Sequence, residues 1–409
     1  MAKEHVPNGK NFDIPDEEIP ETDQEVFTSS DPNFWDYVRQ KDITKNTGVE
    51  PNDFHSFCLK ELLDNPADFR ERNDLDTSII VYITRNEKPF QISVRNSNPN
   101  NIPVFTNLTQ AFNYKRAYSS KSNQYRVTRG AQGDAIKKMS TMAYALDNKW
   151  NEPLIIQHNK IIDKVYAEVD RKHGEITPKF ADGATIDDTD TEVVLTMPPI
   201  KDNDYNAFKE FCKEYTLFNT HISYKFHFNE YGNNSTIDLN ACHPIVKEYD
   251  NPNSIYCYSD ADFEDFLNDI YDKRMWGLSK SRFREIRQTG RFDDLKNLTL
   301  EQLTRQKITK IYHDLKKSML PMSKLSVPYD TKCCKRKQAL INRYQQIKPT
   351  SLKIDTEKAV YHKAEDIYDD GRIRFPFIFE VLAIPIIEGG EEWKIIGGVN
   401  YSTSVNNNR

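Results

Sequence analysis

The stretch ELLDNPAD at residues 61–68 decides how the rest of the chain is interpreted. Its polar members Glu61, Asn65 and Asp68 are spaced by four and three residues, so a helix places all three on one face. Carboxylate and amide oxygens are ligands that suit a hard cation such as magnesium, and a carboxylate can polarise a water molecule. Ordinary solvated helix faces show the same spacing, so the spacing leaves both interpretations open.

The sequence around this stretch predicts a helix followed by a pair of strands. Residues 53–72 carry apolar side chains at helical spacing after an N-cap at Asn52 or Asp53. Strands are expected over 78–84 and 90–95, where β-branched and aromatic residues are frequent. Farther along, the pattern predicts helices over 134–146, 206–215, 261–271, 279–288, 300–318 and 335–346, and strands over 154–157, 161–169, 191–196, 223–229, 377–387 and 393–399.

The composition is typical of a globular protein with more than one domain. The chain has 409 residues, 37% hydrophobic and 29% charged, and a single core rarely grows beyond about 250–300 residues. No apolar run approaches the roughly 18–20 residues of a membrane span, and the polar N-terminus lacks the apolar segment of a signal peptide. The six cysteines are scattered, so neither a disulfide framework nor a structural zinc site is expected, and the plain interpretation is a cytoplasmic protein.

Charge is distributed unevenly along the chain. From Lys273 to Lys348 there are twenty Lys and Arg against six Asp and Glu, so this segment carries +14 and the rest of the chain −20. A basic block in an acidic protein indicates a polyanion partner, most often nucleic acid, although a solvated helical surface without a partner has the same composition. The candidate DNA contacts are Lys280, Arg282, Arg284, Arg287, Arg291, Lys335, Arg336 and Lys337.

A second polar motif, TRGAQGD at residues 128–134, leads directly into a predicted helix. Gly130 and Gly133 allow backbone N–H groups to approach phosphates, and the helix N-terminus adds a partial positive charge. Just upstream, Ser120 and Lys121 offer a hydroxyl and a cation that can reach the same phosphates. A Gly-x-x-Gly spacing also closes ordinary turns, so the motif alone does not identify a phosphate site.

Taken in order, these features resemble the GHKL (Bergerat-fold) ATPases, and in particular the B subunit of type IIB topoisomerases (topoisomerase VI) and its stand-alone relatives. Residues 61–68 look like that family's N-box, and residues 129–133 look like its glycine box. The stretch 190–193 is similar to the family strand that carries a threonine at the nucleotide, here Thr191. The resemblance extends over roughly residues 50–230.

The resemblance implies an ATP site that uses Mg²⁺. Glu61 is then the general base that orients the attacking water, and Asn65 binds the Mg²⁺ that bridges the phosphates. Asp68 supports the pocket, and Thr191 reaches the adenine end. The full set of nucleotide contacts implied by the family is Asn65, Asp68, Asn96, Ser97, Ser120, Lys121, Arg129, Gly130, Gln132, Gly133 and Thr191.

The loop that reads adenine in this family differs here. The family motif Asp-x-Gly-x-Gly is replaced by RNSNPNNIP at residues 95–103, so the Asp and both glycines are missing. Asn96 or Ser97 stands in place of the Asp, and an Asn oxygen accepts a hydrogen bond without carrying a charge. Pro66 is expected to kink the N-box helix at a cost of about 3 kcal/mol unless the helix ends there. The alternative function is therefore a nucleic-acid-binding or scaffold protein with a relic pocket.

The sequence thus predicts an α+β protein that contains a GHKL α/β sandwich. The expected divisions are an acidic N-terminal arm over 1–33, the ATPase domain over 34–239, a basic helical domain over 240–350 and a partial transducer-like β segment over 351–409. The function implied by the resemblance is an ATP-operated clamp on DNA, in the cytoplasm, nucleoid or nucleus. The expected partners are DNA, a second copy in the presence of ATP, and a separate DNA-cleaving or transducer subunit, with no membrane.

Overall fold

A computed structural model describes residues 33–73, 75, 77–102, 104, 108–115, 135–243, 263, 304–318, 333–369, 374–389, 396–399, 402–403 and 405. Its helices are α1 (Trp35–Val38), α2 (Gln40–Thr47), α3 (Phe54–Asn73), α4 (Leu108–Ala111), α5 (Ala135–Leu146), α6 (Asp202–Phe218), α7 (Arg305–Ser318) and α8 (Cys333–Ile347). Its strands are β1 (Ile79–Arg85), β2 (Phe90–Asn96), β3 (Leu154–His158), β4 (Ile161–Asp170), β5 (Glu175–Thr185), β6 (Thr191–Met197), β7 (Tyr224–Glu230), β8 (Asn233–Leu239), β9 (Lys353–Ile354), β10 (Val360–Asp369), β11 (Arg374–Ala383), β12 (Ile386–Glu388), β13 (Gly398–Val399) and β14 (Ser402–Thr403).

One mixed sheet of eight strands organises the first half of the chain, in the order β5-β4-β3-β6-β2-β1-β7-β8. Neighbouring strands are antiparallel except β1 and β7, which run parallel. Helices α3 and α6 cover the same face, because Phe90 of β2 contacts both His55 and Phe208. The chain is therefore an α+β protein whose arrangement is consistent with an α/β sandwich.

Most helices and strands of the sheet domain, residues 35–239, lie where the sequence predicts them, with their ends shifted by a few residues. The helix expected over 53–72 is α3, and the strands expected over 78–84 and 90–95 are β1 and β2. The sequence pattern does not reveal β5 or β8, because both are edge strands that bury few side chains and so show little apolar alternation.

Some of the helices and strands predicted for the second half of the chain lie partly or wholly outside the described residues. The helices expected over 261–271 and 279–288 lie, apart from Phe263, outside the described part of the chain. The strand expected over 377–387 is seen as β11 and β12, and its partner β10 is absent from the sequence prediction. Among the described residues, no helix combines the length and apolar character that crossing a membrane requires.

Helix α3 lies lengthwise along β2. At its start, the ring centroid of His55 lies 5.1 Å from that of Phe90, the first residue of β2. Near its end, the Arg70 guanidinium donates to the carbonyl oxygen of Ser78 at 2.8 Å. Ser78 leads into β1, which pairs with Asn96 at the end of β2. The helix from His55 to Arg70 and the strand from Phe90 to Asn96 are each about 20 Å long, since a helix rises about 1.5 Å and a strand about 3.4 Å per residue. The last turns of α3 therefore lie beside the end of β2.

Helix α3 does not end at Pro66 but continues to Asn73. The proline lacks the N–H that would bond to the carbonyl of Leu62 one turn earlier. Leu62 and Ala67 are at most 3% exposed and belong to the main core, the hydrophobic cluster that α3, α5 and α6 form with the sheet. Burial of apolar surface, worth about 25 cal/mol per Å², offsets the missing hydrogen bond and keeps the helix continuous.

Helix α8 packs against the sheet domain. Ile347 belongs to the main core, and Tyr344 packs against that core. Arg343 is fully buried, and its Nη2 donates to the carbonyl oxygens of Ile222 at 2.7 Å and Asn240 at 3.1 Å. Residues that the sequence analysis places in a basic helical domain therefore share the core of residues 34–239.

The prediction that Arg336 of α8 contacts DNA is not supported by the position of its side chain. Its side chain is 6% exposed, and it donates from Nη2 to Glu380 and from Nη1 to the hydroxyl of Thr220, both at 2.9 Å. A buried charge that is already paired with a carboxylate is not presented to a DNA phosphate, so Arg336 is a structural residue. Lys337 is partly exposed, and the side chain of Lys335 lies outside the described residues.

Replacing Glu380 with Ala is expected to lower the free energy of unfolding by about 3 kcal/mol, because Arg336 then remains buried without its carboxylate. Chemical denaturation followed by circular dichroism measures this loss. The double substitution Arg336→Met/Glu380→Leu removes both charges and should cost less than Glu380→Ala alone. The matched control is Glu357→Ala at an exposed position, which should change stability by less than about 0.5 kcal/mol. Equal losses for the single and double substitutions would contradict the assignment.

Candidate functional site

Two buried polar side chains lie side by side at one end of the sheet. Asn96 ends β2, Thr191 begins β6, and the two residues are partners in the antiparallel ladder. They are 3% and 8% exposed and continue the buried rows of the helix-covered face. Neither Asn96 Oδ1 nor Thr191 Oγ1 has a hydrogen-bond partner within the described part of the chain. An unpaired buried polar atom costs about 1–3 kcal/mol, so the pair fits polar atoms supplied by a ligand.

The loop after Asn96 keeps a defined shape without glycine. Asn98 is fully buried, and its side chain donates to the carbonyl oxygen of Ile102 at 2.8 Å and accepts from the Ile102 N–H at 2.9 Å. Asn101 has φ of 46°, in the left-handed region that asparagine tolerates better than most side chains. Of the two residues that the resemblance implies at this position, Asn96 is buried and Ser97 is only partly buried.

Asn98 and Asp190, which together hold this loop, are not among the site residues predicted from the sequence. Asp190 Oδ1 accepts from the Asn98 N–H at 3.1 Å, and Asp190 Oδ2 accepts from Arg95 Nε at 3.0 Å. Arg95 also donates to Asp188 at 2.7 Å. Two features of the sequence could have indicated these residues. Asparagine in a turn commonly forms hydrogen bonds with the backbone of its own loop, and the acids before β6 are opposite in charge to Arg95.

The second half of the site lies between α3 and α5. Cys58 Sγ contacts Met142 Sδ at 3.5 Å. One turn farther along α3, Glu61 is close enough to Lys138 for the lysine charge to lower its pKa. Residue numbers rise along α3 and fall along α5, so the two helices are antiparallel. The next turn of α3 carries Asn65, which brings it level with the start of α5. Free N–H groups and the helix dipole make such a helix start suitable for a phosphate.

Glu61 is a buried carboxylate that a neighbouring lysine holds in place. It is 9% exposed, and Lys60 Nζ donates to Glu61 Oε1 at 2.7 Å and to Asp64 Oδ2 at 3.1 Å. Asp64 accepts a hydrogen bond from the Tyr215 hydroxyl at 2.7 Å, which fixes the group to α6. Burial raises the pKa of Glu61, while Lys60 and Lys138 oppose the shift. A carboxylate with a raised pKa is a stronger base than an ordinary glutamate.

The three polar residues of the stretch 61–68 differ in exposure. Asn65 is exposed, whereas Glu61 and Asp68 are 9% and 4% exposed. An ordinary solvated helix face would expose all three, so the burial of Glu61 and Asp68 does not fit that interpretation. Because of the direction of α3, Asp68 lies toward the end of β2 that carries Asn96, and Glu61 lies toward α5.

A magnesium ion would have few protein ligands here. Within the described ranges, no group of three or more His, Cys, Asp and Glu side chains could hold a metal ion. Mg²⁺ that binds with a nucleotide needs no such group, because it keeps several waters and takes one or two protein ligands besides the phosphates. The exposed amide of Asn65, one turn from Glu61, fits that set of ligands.

Several predicted site residues lie outside the described part of the chain. They are Ser120, Lys121, Arg129, Gly130, Gln132 and Gly133 of the nucleotide set, and Lys280, Arg282, Arg284, Arg287 and Arg291 of the DNA set. Their roles stay predictions.

Comparison with known proteins gives distant structural likenesses, two of which are described below. No protein-family profile matches the chain, and no curated protein sequence matches it. The chain is similar to the N-terminal domain of a DNA repair protein, with 16% identity and a TM-score of 0.27 over 46% of this chain and 54% of that one, so it spans about half of that domain. It is also similar to the ATP-binding domain of topoisomerase IV of Francisella tularensis, solved with a small-molecule inhibitor, with 14% identity and a TM-score of 0.26 over 44% of this chain and 83% of that one.

Proposed function

We propose that the chain binds ATP with Mg²⁺ between α3, α5 and the sheet and hydrolyses it, in the manner of the GHKL ATPases. The observation that carries the proposal is the pair Asn96 and Thr191, whose buried oxygen atoms lie on the helix-covered side and have no hydrogen-bond partner among the described residues. A pocket retained only as structure would be more stable with apolar side chains at these two positions, because buried polar atoms without partners are costly.

At the base end, Asn96 Oδ1 accepts a hydrogen bond from the 6-amino group of adenine. The Thr191 hydroxyl bonds to the adjacent ring nitrogen. The loop held by Asn98 and Asp190 fixes the position of Asn96, since these contacts leave the end of β2 little freedom. Asp68, buried at the same end of α3, supports this part of the pocket.

At the phosphate end, the amide oxygen of Asn65 would hold the Mg²⁺, and the ion would supply positive charge that neutralises the phosphates. The first turn of α5 would contribute backbone N–H groups and the positive end of its dipole to phosphate oxygens. The glycine-containing stretch 129–133 leads into this turn and would extend the same cradle, with Lys121 adding a cation.

Glu61 is the general base of the reaction. Its carboxylate accepts a proton from a water molecule as the water oxygen forms a bond to the γ-phosphorus. The bond between that phosphorus and the bridging oxygen breaks, and ADP and phosphate result. Lys60 fixes the orientation of the Glu61 carboxylate through its contact at 2.7 Å.

Glu61→Ala is expected to lower kcat for ATP hydrolysis by about 100-fold or more, because the water loses its proton acceptor. Steady-state release of phosphate in the presence of Mg²⁺ measures the effect. Glu87→Ala, which removes an exposed glutamate in the β1–β2 turn, is the matched control and should leave kcat unchanged. Undiminished turnover in Glu61→Ala would exclude Glu61 as the base. Absence of both turnover and nucleotide binding in the unmodified chain would favour the relic pocket.

The pH dependence of kcat should reflect the burial of Glu61. The base works only when ionised, so activity is present above its pKa and is lost as the pH falls through it. Because burial raises this pKa, the midpoint of the acid limb should lie above the ordinary glutamate value of about 4.3. A kcat profile between acid and neutral pH, corrected for unfolding, tests this, and a midpoint at or below the ordinary value would contradict it.

Exposed lysines on α7 favour contact with DNA as a second function. Ile308 and Ile311 are each 6% exposed, whereas Lys307, Lys310 and Lys317 are exposed. A helix with one buried apolar side and cations on its exposed side can contact phosphates without reading sequence. In this proposal, ATP brings two copies together around DNA, hydrolysis releases them, and a separate chain supplies DNA cleavage or the remaining transducer.

The double substitution Lys307→Ala/Lys310→Ala is expected to weaken binding to duplex DNA. The slope of log affinity against log salt concentration should decrease by about two, because each lost phosphate contact removes nearly one unit. Fluorescence anisotropy at several salt concentrations measures both quantities. Lys41→Ala/Lys45→Ala removes two exposed lysines from α2 and is the matched control. Equal effects of the two pairs would indicate general electrostatic attraction and would contradict a site on α7.

A further inference from the structure

The two carboxylates that flank Thr191 in sequence are engaged by the protein itself. Asp190 accepts hydrogen bonds from Arg95 Nε at 3.0 Å and from a loop N–H at 3.1 Å. Glu192 accepts a hydrogen bond from the hydroxyl of Ser93. These acids therefore brace the ends of β2 and β6, and the side chains next to each other on the helix-covered face are the neutral pair Asn96 and Thr191.

Asn96 and Thr191 can each donate or accept a hydrogen bond. An asparagine amide has an acceptor oxygen and a donor NH₂ group, and a threonine hydroxyl rotates to serve in either role. The terminal torsion of asparagine has two broad and nearly equivalent minima, so a half-turn exchanges the acceptor for the donor. Asn96 Oδ1 has no hydrogen-bond partner among the described residues that such a half-turn would break.

From this arrangement we propose that the site accepts 6-oxopurine nucleotides as well as 6-aminopurine nucleotides, so that inosine and guanosine triphosphates bind about as well as ATP. The inference rests on the nucleotide site proposed above and names the class of base that this site takes. Asn96 is the residue that determines this specificity.

The two base patterns are satisfied as follows. A 6-amino group donates to Asn96 Oδ1, while the Thr191 hydroxyl donates to the unprotonated ring nitrogen N1. A 6-oxo group accepts from Asn96 Nδ2 after the half-turn, while the Thr191 hydroxyl accepts from the protonated N1. Each purine therefore leaves both buried side chains with a partner, and the pocket distinguishes purines from other bases by shape rather than by hydrogen-bond pattern.

An aspartate at position 96 would behave differently. An ionised carboxylate only accepts hydrogen bonds, so it bonds to a 6-amino group and opposes the oxygen of a 6-oxo group. The neutral amide at this position removes that opposition. The expected consequence is a loss of discrimination between the two purine classes, with the phosphate contacts left intact.

Titration calorimetry with Mg²⁺ and each of ATP, ITP, GTP and UTP tests the inference. Comparing ITP with ATP isolates the 6-amino/6-oxo difference, because neither base carries the 2-amino group that GTP has. We expect the dissociation constants of ATP and ITP to agree within about tenfold, since a neutral amide makes one ordinary hydrogen bond to either base. UTP, whose smaller ring does not fill the base end, should bind at least about tenfold more weakly than both.

Asn96→Asp should increase the ratio of the ITP to the ATP dissociation constant by about 100-fold, because the carboxylate selects for the amino group. Asn100→Asp adds the same charge at an exposed position of the same loop and should leave the ratio unchanged. Thermal unfolding of both variants establishes that they are folded. Should Asn96→Asp not fold, the ratio in the unmodified chain still decides the question.

The outcomes separate the inference from the function on which it rests. Binding of ATP with rejection of ITP and GTP by more than about 100-fold would overturn the inference and leave the proposed ATPase standing. Equal binding of all four nucleotides, with no effect of Asn96→Asp, would show that the base is not read and would also overturn the inference. Failure of every nucleotide to bind would overturn the proposed function and the inference together.

Discussion

The packing of α3 lengthwise along β2 is the constraint on which the rest of the site depends. Contacts at both ends fix this arrangement, His55 with Phe90 at the start and Arg70 with Ser78 near the end. The chain therefore has one helix that passes from the level of α5 to the level of Asn96. In the proposed nucleotide site, different turns of this one helix would contribute to the phosphate end and to the base end.

Buried charge connects this helix to the later part of the chain. His221 Nε2 lies 2.5 Å from Glu71 Oε1, which joins the last turns of α3 to the loop before β7. In the same loop, Thr220 receives a hydrogen bond from Arg336 of α8. Removing one partner of such a buried contact is costly, since the other polar group stays buried without a hydrogen bond. The end of α3 and the start of α8 are therefore held by neighbouring residues of one short loop.

The loop at residues 96–102 shows how a motif can be replaced by different chemistry. Where the resembling family uses glycines to shape the turn, this chain uses the Asn98 side chain and the left-handed conformation of Asn101. The substitution of a neutral amide for a carboxylate keeps an acceptor at Asn96 and adds a donor. This end of the sheet therefore carries a polar pair, Asn96 and Thr191, that can both donate and accept hydrogen bonds.

The positions of α3, β1, β2, β6 and α6 could be read from the sequence alone, because apolar residues recur in each at helix or strand spacing. The sequence also supplied the candidates Glu61, Asn65, Asp68 and Thr191 through their spacing and a family resemblance. Only the tertiary structure decided that Glu61 and Asp68 are buried and that Arg336 is paired with Glu380. Edge strands, the register that places Asn96 beside Thr191, and the pairing of charges all depend on contacts between residues far apart in the chain. Local spacing carries no information about such contacts, because they form only when the sheet brings its strands together.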